Sequence, residues 1–128
     1  MILTEEQTMI RDMARDFADK ELAPNSAQWD KDAALPMDVL HQMGALGLMG
    51  MTIPEEWGGA GTDYVSYALA LMEIARGDGS VSTVMSVTNS PTLSCILNAG
   101  TEQQKEQFLK PLARGEMAAG LSTVQKCS

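Results

Sequence analysis

Three glycines, a proline and a tryptophan crowd into Ile53-Pro54-Glu55-Glu56-Trp57-Gly58-Gly59-Ala60-Gly61-Thr62-Asp63. The segments on either side read as helix, so this loop separates two helical blocks and fixes how they meet. Pro54 sets one φ angle and removes a donor, whereas Gly58, Gly59 and Gly61 admit positive φ or close backbone approach. Thr62 or Asp63 is placed to cap the helix that follows. A glycine cluster before a helix is also the form of a phosphate cradle. The P-loop version ends in Gly-Lys-Ser/Thr, and the dinucleotide version follows a strand. Here no lysine lies between Lys31 and Lys105, and no β-branched run precedes Pro54. An ordered structural turn is the better reading.

Before the loop, Thr4 and Gln7 have the spacing of a capping box, and Glu5 and Glu6 suit the positive end of a helix dipole. Apolar pairs recur every four residues at Met9/Ile10, Met13/Ala14 and Phe17/Ala18, followed by Leu22, which a helix gathers on one face. Asp16 and Lys20 are spaced for an i,i+4 pair on the exposed side. Pro24 predicts a break or kink near Ala23, followed by a short helix that carries Trp29. Pro36 suits the first position of the next helix, whose apolar face is Val39, Leu40, Met43 and Leu46, with Gly47 as its stop. Gly44, Gly47 and Gly50 have a spacing that would admit a neighbouring helix. Helix-ending punctuation is preferred.

After the loop, Tyr64 to Ala75 is apolar on nearly every side, broken mainly by Ser66 and Glu73, which predicts an interior helix. Arg76-Gly77-Asp78-Gly79 reads as its end, with Arg76 against the dipole and Gly77 at the C′ stop. As an adhesion tripeptide, Arg76-Gly77-Asp78 is too short to carry weight. From Gly79 through Thr101 there is no charged residue, yet hydroxyls and Asn89 are interleaved with Val81, Val84, Met85, Val87, Leu93, Ile96 and Leu97. Such a helix is expected to be buried and must find partners for its polar groups. Two arrangements remain open: bonding to its own and neighbouring carbonyls, or bordering a cavity that holds ligand or water. Pro91 adds to the second by freeing a carbonyl in mid-helix. Thr101 and Gln104 form a second capping-box pattern, opening a helix to about Ala113 with Phe108, Leu109 and Leu112 as its stripe and a kink at Pro111. Arg114-Gly115-Glu116 reads as a turn, and Met117 onward has the composition to begin a strand.

Composition narrows the function. Ten methionines, abundant alanine and leucine, and few aromatics favour an all-α fold of single-domain size. A net charge of −8 excludes nucleic acid and disfavours anionic membrane surfaces. No run of about 20 apolar residues is present, so no membrane span is expected. The start Met-Ile-Leu-Thr-Glu-Glu has neither signal-peptide nor transit-peptide character, which points to a cytoplasmic protein. Cys95 and Cys127 make no disulfide framework, and Cys95 is expected as a small core residue. His41 is the only histidine, so no metal site is expected. Glu55 and Glu56 are adjacent and point apart, and Cys95 has no neighbouring base. No catalytic residue is assigned.

The segments Leu3-Thr4-Glu5-Glu6-Gln7, Ile53 through Tyr64, Glu73-Ile74-Ala75-Arg76-Gly77, Gly100-Thr101-Glu102-Gln103-Gln104-Lys105 and Phe108 through Glu116 resemble the acyl-CoA dehydrogenase family. They stand in the family's order and spacing from residue 2 to about 118. Met85-Ser86-Val87-Thr88-Asn89-Ser90 looks most like the short-chain, butyryl-CoA-type members. The resemblance implies an orthogonal helical bundle of about five to six helices over residues 1–117. In complete members a central β-domain holds FAD, and a C-terminal four-helix domain generally carries the catalytic glutamate. The implied reaction is α,β-dehydrogenation of an acyl-CoA thioester: a carboxylate takes the α proton, hydride passes from Cβ to flavin N5, and electrons leave to an electron-transfer flavoprotein.

By the same resemblance, Val87, Thr88, Asn89, Ser90 and Pro91 would contribute to the wall of the acyl pocket. No flavin-binding, catalytic or metal residue carries over, and FAD is not expected on this chain alone. Residues 118–128, Ala-Ala-Gly-Leu-Ser-Thr-Val-Gln-Lys-Cys-Ser, depart from the family's Leu-Thr-Glu-Pro-like strand and Gly-Ser-Asp loop. A truncated or altered end is expected there. Complete members are homotetramers, and faces turned to missing domains predict exposed apolar surface and self-association. The alternative is a stand-alone helical module that binds acyl-CoA or a partner without catalysis.

Overall fold

The computed structural model describes residues 2–33 and 36–116, so the expected tail at 118–128 and Cys127 lie outside the described residues. The helices are α1 (Glu5–Phe17), α2 (Ser26–Asp32), α3 (Met37–Ala45), α4 (Tyr64–Gly77), α5 (Gly79–Val87), α6 (Leu93–Ala99), α7 (Glu102–Gln104) and α8 (Lys110–Ala113). Widened π-helical turns extend α1 through Ala18–Leu22, join α5 to α6 through Thr88–Thr92, and join α7 to α8 through Lys105–Leu109. Six helical rods result among the described residues, with no strand. The all-α bundle expected from the sequence is what forms. No described helix is long and apolar enough to cross a membrane.

The rods begin where their capping residues place them. Gln7 N–H donates to Thr4 Oγ1 at 3.1 Å and Thr4 N–H donates to Gln7 Oε1 at 2.9 Å. Thr101 and Gln104 repeat the same reciprocal pair. Asp63 caps α4 by accepting from Ser66 N–H at 2.7 Å. Asp78 both ends α4 and caps α5, accepting from Val81 N–H at 2.8 Å. Each cap satisfies a donor that the first helical turn would otherwise leave open.

Prolines explain the widened turns. Pro24 and Pro111 each follow one closely, and Pro91 lies inside the third. A proline has no N–H and collides with the carbonyl four residues back, so the ladder relaxes to bonds spanning five residues: Ala23 N–H reaches Ala18 O and Leu93 N–H reaches Thr88 O. The chain does turn off at Ala23 as expected, but at Pro91 and Pro111 the rods continue. Pro36 and Pro54 stand outside helix interiors at N-caps, so Pro36 precedes the first helical residue rather than occupying it.

Two apolar clusters hold the rods together. The larger gathers Ala14, Phe17, Ala18 and Leu22 of the first rod, Val39, Leu40 and Met43 of α3, Ala70 and Ile74 of α4, and Val81 and Met85 of α5, closed by Leu48, Met49 and Met51. The smaller packs Ile53 against Leu93, Leu109, Leu112 and Ala113. Fully burying one such leucine or isoleucine is worth roughly 1.5–3 kcal/mol. Trp57 covers the smaller cluster, with Lys105 Nζ and Lys110 Nζ 5.5 and 5.7 Å from its ring centre.

Several expectations are corrected. Helix α4 is not interior: Tyr64 and Met72 are 77% and 68% exposed, because its outer side meets no other described element. Leu46 and Phe108 likewise leave the stripes assigned to them and lie at the surface. Gly44 and Gly50 are close-approach residues rather than punctuation. A Cβ on Gly44 would lie 2.5 Å from Gly115 Cα, and one on Gly50 would lie 2.8 Å from Ala113 Cβ. Only Gly47, at φ +83°, ends a helix as expected. Gly77 is not a left-handed stop either; it is the last residue of α4, where a Cβ would meet Leu22 and Ala18 at 2.9 and 3.0 Å. Cys95 is half-buried on α6 rather than fully in the core.

Candidate functional site

The loop Pro54–Asp63 does not fit a phosphate. Its amides are already committed: Gly58 N–H donates to Glu55 O, Gly59 to Pro54 O, Ala60 to Gly50 O, Gly61 to Ile53 O and Thr62 to Met51 O, at 2.7–3.2 Å. A pyrophosphate cradle needs those donors free. For the same reason the loop offers no seat for a flavin diphosphate. Glu55 and Glu56 stand exposed on the short 3₁₀ turn Glu55–Trp57. His41 lies on the surface of α3 with Nδ1 2.7 Å from Gly115 O. No three His, Cys, Asp or Glu side chains gather as metal ligands among the described residues.

The uncharged rod is where a site takes shape. Leu71, Met72 and Ala75 of α4 face Ser82, Thr83, Ser86 and Val87 of α5 across an open groove of about 440 Å³. The i,i+4 spacings 71/75, 82/86 and 83/87 put these residues on facing stripes of two neighbouring helices. No lining residue carries a formal charge. At one side stands Tyr67, whose phenol burial pushes up, a rise that Ser86 partly counters. Ser82 Oγ and Thr83 Oγ1 both reach Gly79 O, at 2.7 and 3.0 Å, so these hydroxyls are largely satisfied within their own helix. Back-bonding, the first arrangement left open for this segment, therefore occurs, and the same segment also borders a groove. Such a surface suits an uncharged, mainly apolar ligand group or a covering apolar surface.

Four of the five residues assigned to a pocket wall, Val87 through Ser90, divide between two faces. Val87 lines the groove and Ser90 is exposed. Thr88 and Asn89 turn inward, 2% and 0% exposed. Asn89 accepts from Met51 N–H at 2.7 Å and donates to Leu48 O at 2.8 Å and Met85 O at 3.0 Å. Pro91 lies on the widened turn. Thr92 Oγ1, one position on, is buried without a hydrogen-bond partner. The α4 side of the groove went unassigned in the sequence, because Leu71, Met72 and Ala75 read there as part of an interior helix. Their stripe, continued from Ala68, was the available signal.

A family model described as "Acyl-CoA dehydrogenase, N-terminal domain" matches residues 4–116. The chain belongs to the acyl-CoA dehydrogenase family. The short-chain specific acyl-CoA dehydrogenase, mitochondrial, of Rattus norvegicus is 47% identical over 114 residues, 89% of this chain and 28% of that protein. Among solved structures, butyryl-CoA dehydrogenase from Megasphaera elsdenii superposes with a TM-score of 0.84 at 35% identity, covering 92% of this chain and 32% of that one. A chain in a structure of the electron transferring flavoprotein of Acidaminococcus fermentans superposes with a TM-score of 0.87 at 39% identity, covering 92% and 31%. The chain thus spans less than a third of the length of each. The matched part is the N-terminal domain, helical here, and short-chain dehydrogenases are among the relatives it resembles.

Proposed function

We propose that this chain is the N-terminal helical domain of an FAD-dependent acyl-CoA dehydrogenase that acts on short-chain thioesters, and that the α4–α5 groove is part of its acyl-pocket wall. The observation that carries this is an uncharged groove, ending at Val87, in a chain matched to the family across residues 4–116. Leu71, Met72 and Val87 would pack on the alkyl chain and keep water from it, while Ser82 and Thr83 keep their hydroxyls occupied at Gly79 O. Ser90 and Pro91 would continue the wall. Since the glycine loop offers no pyrophosphate seat, the flavin and the carboxylate that takes the α proton belong, on this proposal, to other parts of the protein. Electron-transfer flavoprotein as acceptor, homotetrameric assembly and a cytoplasmic location are parts of the same proposal.

A hybrid enzyme tests it. The matched segment of the rat short-chain dehydrogenase is replaced by residues 3–116 of this chain, and flavin reduction by butyryl-CoA is followed. The hybrid is expected to hold FAD and to be reduced, and Val87→Phe to raise KM for butyryl-CoA at unchanged flavin content. Loss of butyryl-CoA turnover in a flavin-loaded hybrid, or indifference of KM to Val87→Phe, overturns the proposal. Calorimetry of the isolated chain with butyryl-CoA examines the non-catalytic alternative, and tight binding without any other domain would favour it.

A further inference from the structure

Asn89 sits two positions after Val87, about 200° round the helix, so the two side chains face opposite ways. Val87 points into the groove and Asn89 into the core, where it is the one fully buried amide side chain of the uncharged rod. Its hydrogen bonds reach two separate parts of the chain. Met85 O belongs to the turn of α5 just before Val87, while Leu48 O and Met51 N–H belong to the irregular segment leading into the glycine loop. That segment is held in turn from the loop, because Met51 O accepts from both Thr62 N–H at 2.7 Å and Thr62 Oγ1 at 2.8 Å. The helical ladder is irregular here, because Thr88–Thr92 has widened around Pro91, so bonds from outside the rod help fix its register.

We infer that Asn89 is a positioning residue: it locks the widened turn to Leu48–Met51 and so sets where Val87 stands in the groove, without touching the ligand. The functional half of this rests on the acyl-wall proposal above. An amide suits the role because it offers a donor and an acceptor at once, and the backbone groups it meets are of both kinds. Alanine would leave Met51 N–H and Leu48 O to find other partners in a site closed to water, while Met85 O keeps the Thr88 N–H.

The test uses the 128-residue chain with the methyl groups of Val87 isotope-labelled. In Asn89→Ala, exchange of the Met51 amide is expected to quicken about tenfold or more. The Val87 methyl signals are expected to shift or to broaden into more than one state. Leu40→Ala, a core change on α3, serves as the control for general loosening and should leave the Val87 signals in place. Should Asn89→Ala fail to fold, Asn89→Asp takes over. Its carboxyl recovers a donor only when protonated, so its Val87 signals should move toward the wild-type position as pH falls, relative to wild type over the same range. Unchanged Val87 signals in Asn89→Ala, signals that move equally in Leu40→Ala, or Asn89→Asp insensitive to pH would overturn the inference. In the hybrid enzyme, Asn89→Ala should raise KM for butyryl-CoA several-fold with flavin content unchanged. If the hybrid never turns over butyryl-CoA while the methyl signals behave as expected, the acyl reading falls and the positioning of Val87 by Asn89 stands.

Discussion

Helix α4 has two flanks, and they are finished by different chemistry. Toward the first rod, Ala70, Ile74 and Gly77 share a cluster or close contact with Ala14, Ala18 and Leu22, and charged groups close the seam at the surface. Glu73 accepts from Arg15 at 3.0 Å and Arg76 at 3.1 Å, and Arg76 reaches on to Asp19 at 2.8 Å. Gln7 and Asp63 join the same two rods at their starts. Toward α5 no ion pair forms among the described residues, and a groove opens with Met72 and Val87 on its walls. A seam that ends at water can be trimmed with charges, whose apolar stems cover the core while their heads stay hydrated. A flank left uncharged and apolar gains nothing from facing water, and is shaped to be covered.

The largest effect that separates the two flanks comes from removing bulk. Leu22→Ala empties a fully buried position under Gly77 and is expected to lower stability by about 2–5 kcal/mol in urea unfolding with an unchanged m-value. Val87→Ala, on the open groove, should cost well below that. Equal costs would mean that the groove is closed and would end the distinction. A step down, Gly44→Ala forces a Cβ against the backbone of Arg114 and Gly115, which cannot swing aside, and should cost about 1–3 kcal/mol. Rescue of Gly44→Ala by shortening the Arg114 side chain would show that backbone was not the obstacle.

How much of this was legible beforehand depends on where the information lies. Caps are local, so Thr4/Gln7 and Thr101/Gln104 could be read within four residues, and the α4 cap was narrowed to Thr62 or Asp63, of which the structure uses Asp63. The apolar period of α1 was equally plain. Gly44 could not be read in the same way, because its reason is Gly115, seventy-one residues on. Pro24, Pro91 and Pro111 announced a disturbance, but not that widening a turn would absorb it. For the groove, the absence of charge marked one of the rods that line it, whereas Val87 was singled out by the family resemblance. Composition could not tell that Thr88 and Asn89 turn away from Val87, since the phase of a rod is set by what it packs against. The apolar surround of α4 was misread as burial because a flank covered by core and a flank awaiting cover have the same composition.

Acid should loosen the charged flank alone. Hydrogen bonding to Arg15, with Arg76 adding to it, holds the Glu73 carboxyl below its ordinary value against the opposing effect of burial. The Ser66 N–H, its side chain and Gln7 do the same for Asp63. A carboxyl lowered in the folded state contributes stability that is present above its unfolded value, near 4, and is lost as pH falls through the lower folded value. The urea midpoint should therefore fall between about pH 5 and pH 2–3, and Glu73→Gln should remove part of that dependence. At neutral pH the same substitution is expected to cost about 1 kcal/mol, Glu73 being only 12% exposed while its arginine partners are half-exposed. An acid dependence identical in Glu73→Gln and wild type would place the titrating groups elsewhere.

The smallest expected change is the most telling about the open flank. Met72→Gln swaps residues of nearly equal helix propensity at a side chain 68% exposed, so stability of the isolated chain should stay within about 0.5 kcal/mol. Ile74→Gln, two residues on, puts an amide where nothing is exposed and leaves it to be paired in the core, so it should be several times more costly. Self-association, followed by sedimentation, should move the other way: reduced by Met72→Gln, because an apolar contact is removed from the uncovered face. A monomeric wild type unaffected by the change would show that the groove does not recruit a second copy. A Met72→Gln chain as destabilised as Ile74→Gln would show instead that both flanks of α4 are packed alike, and the contrast between them would disappear.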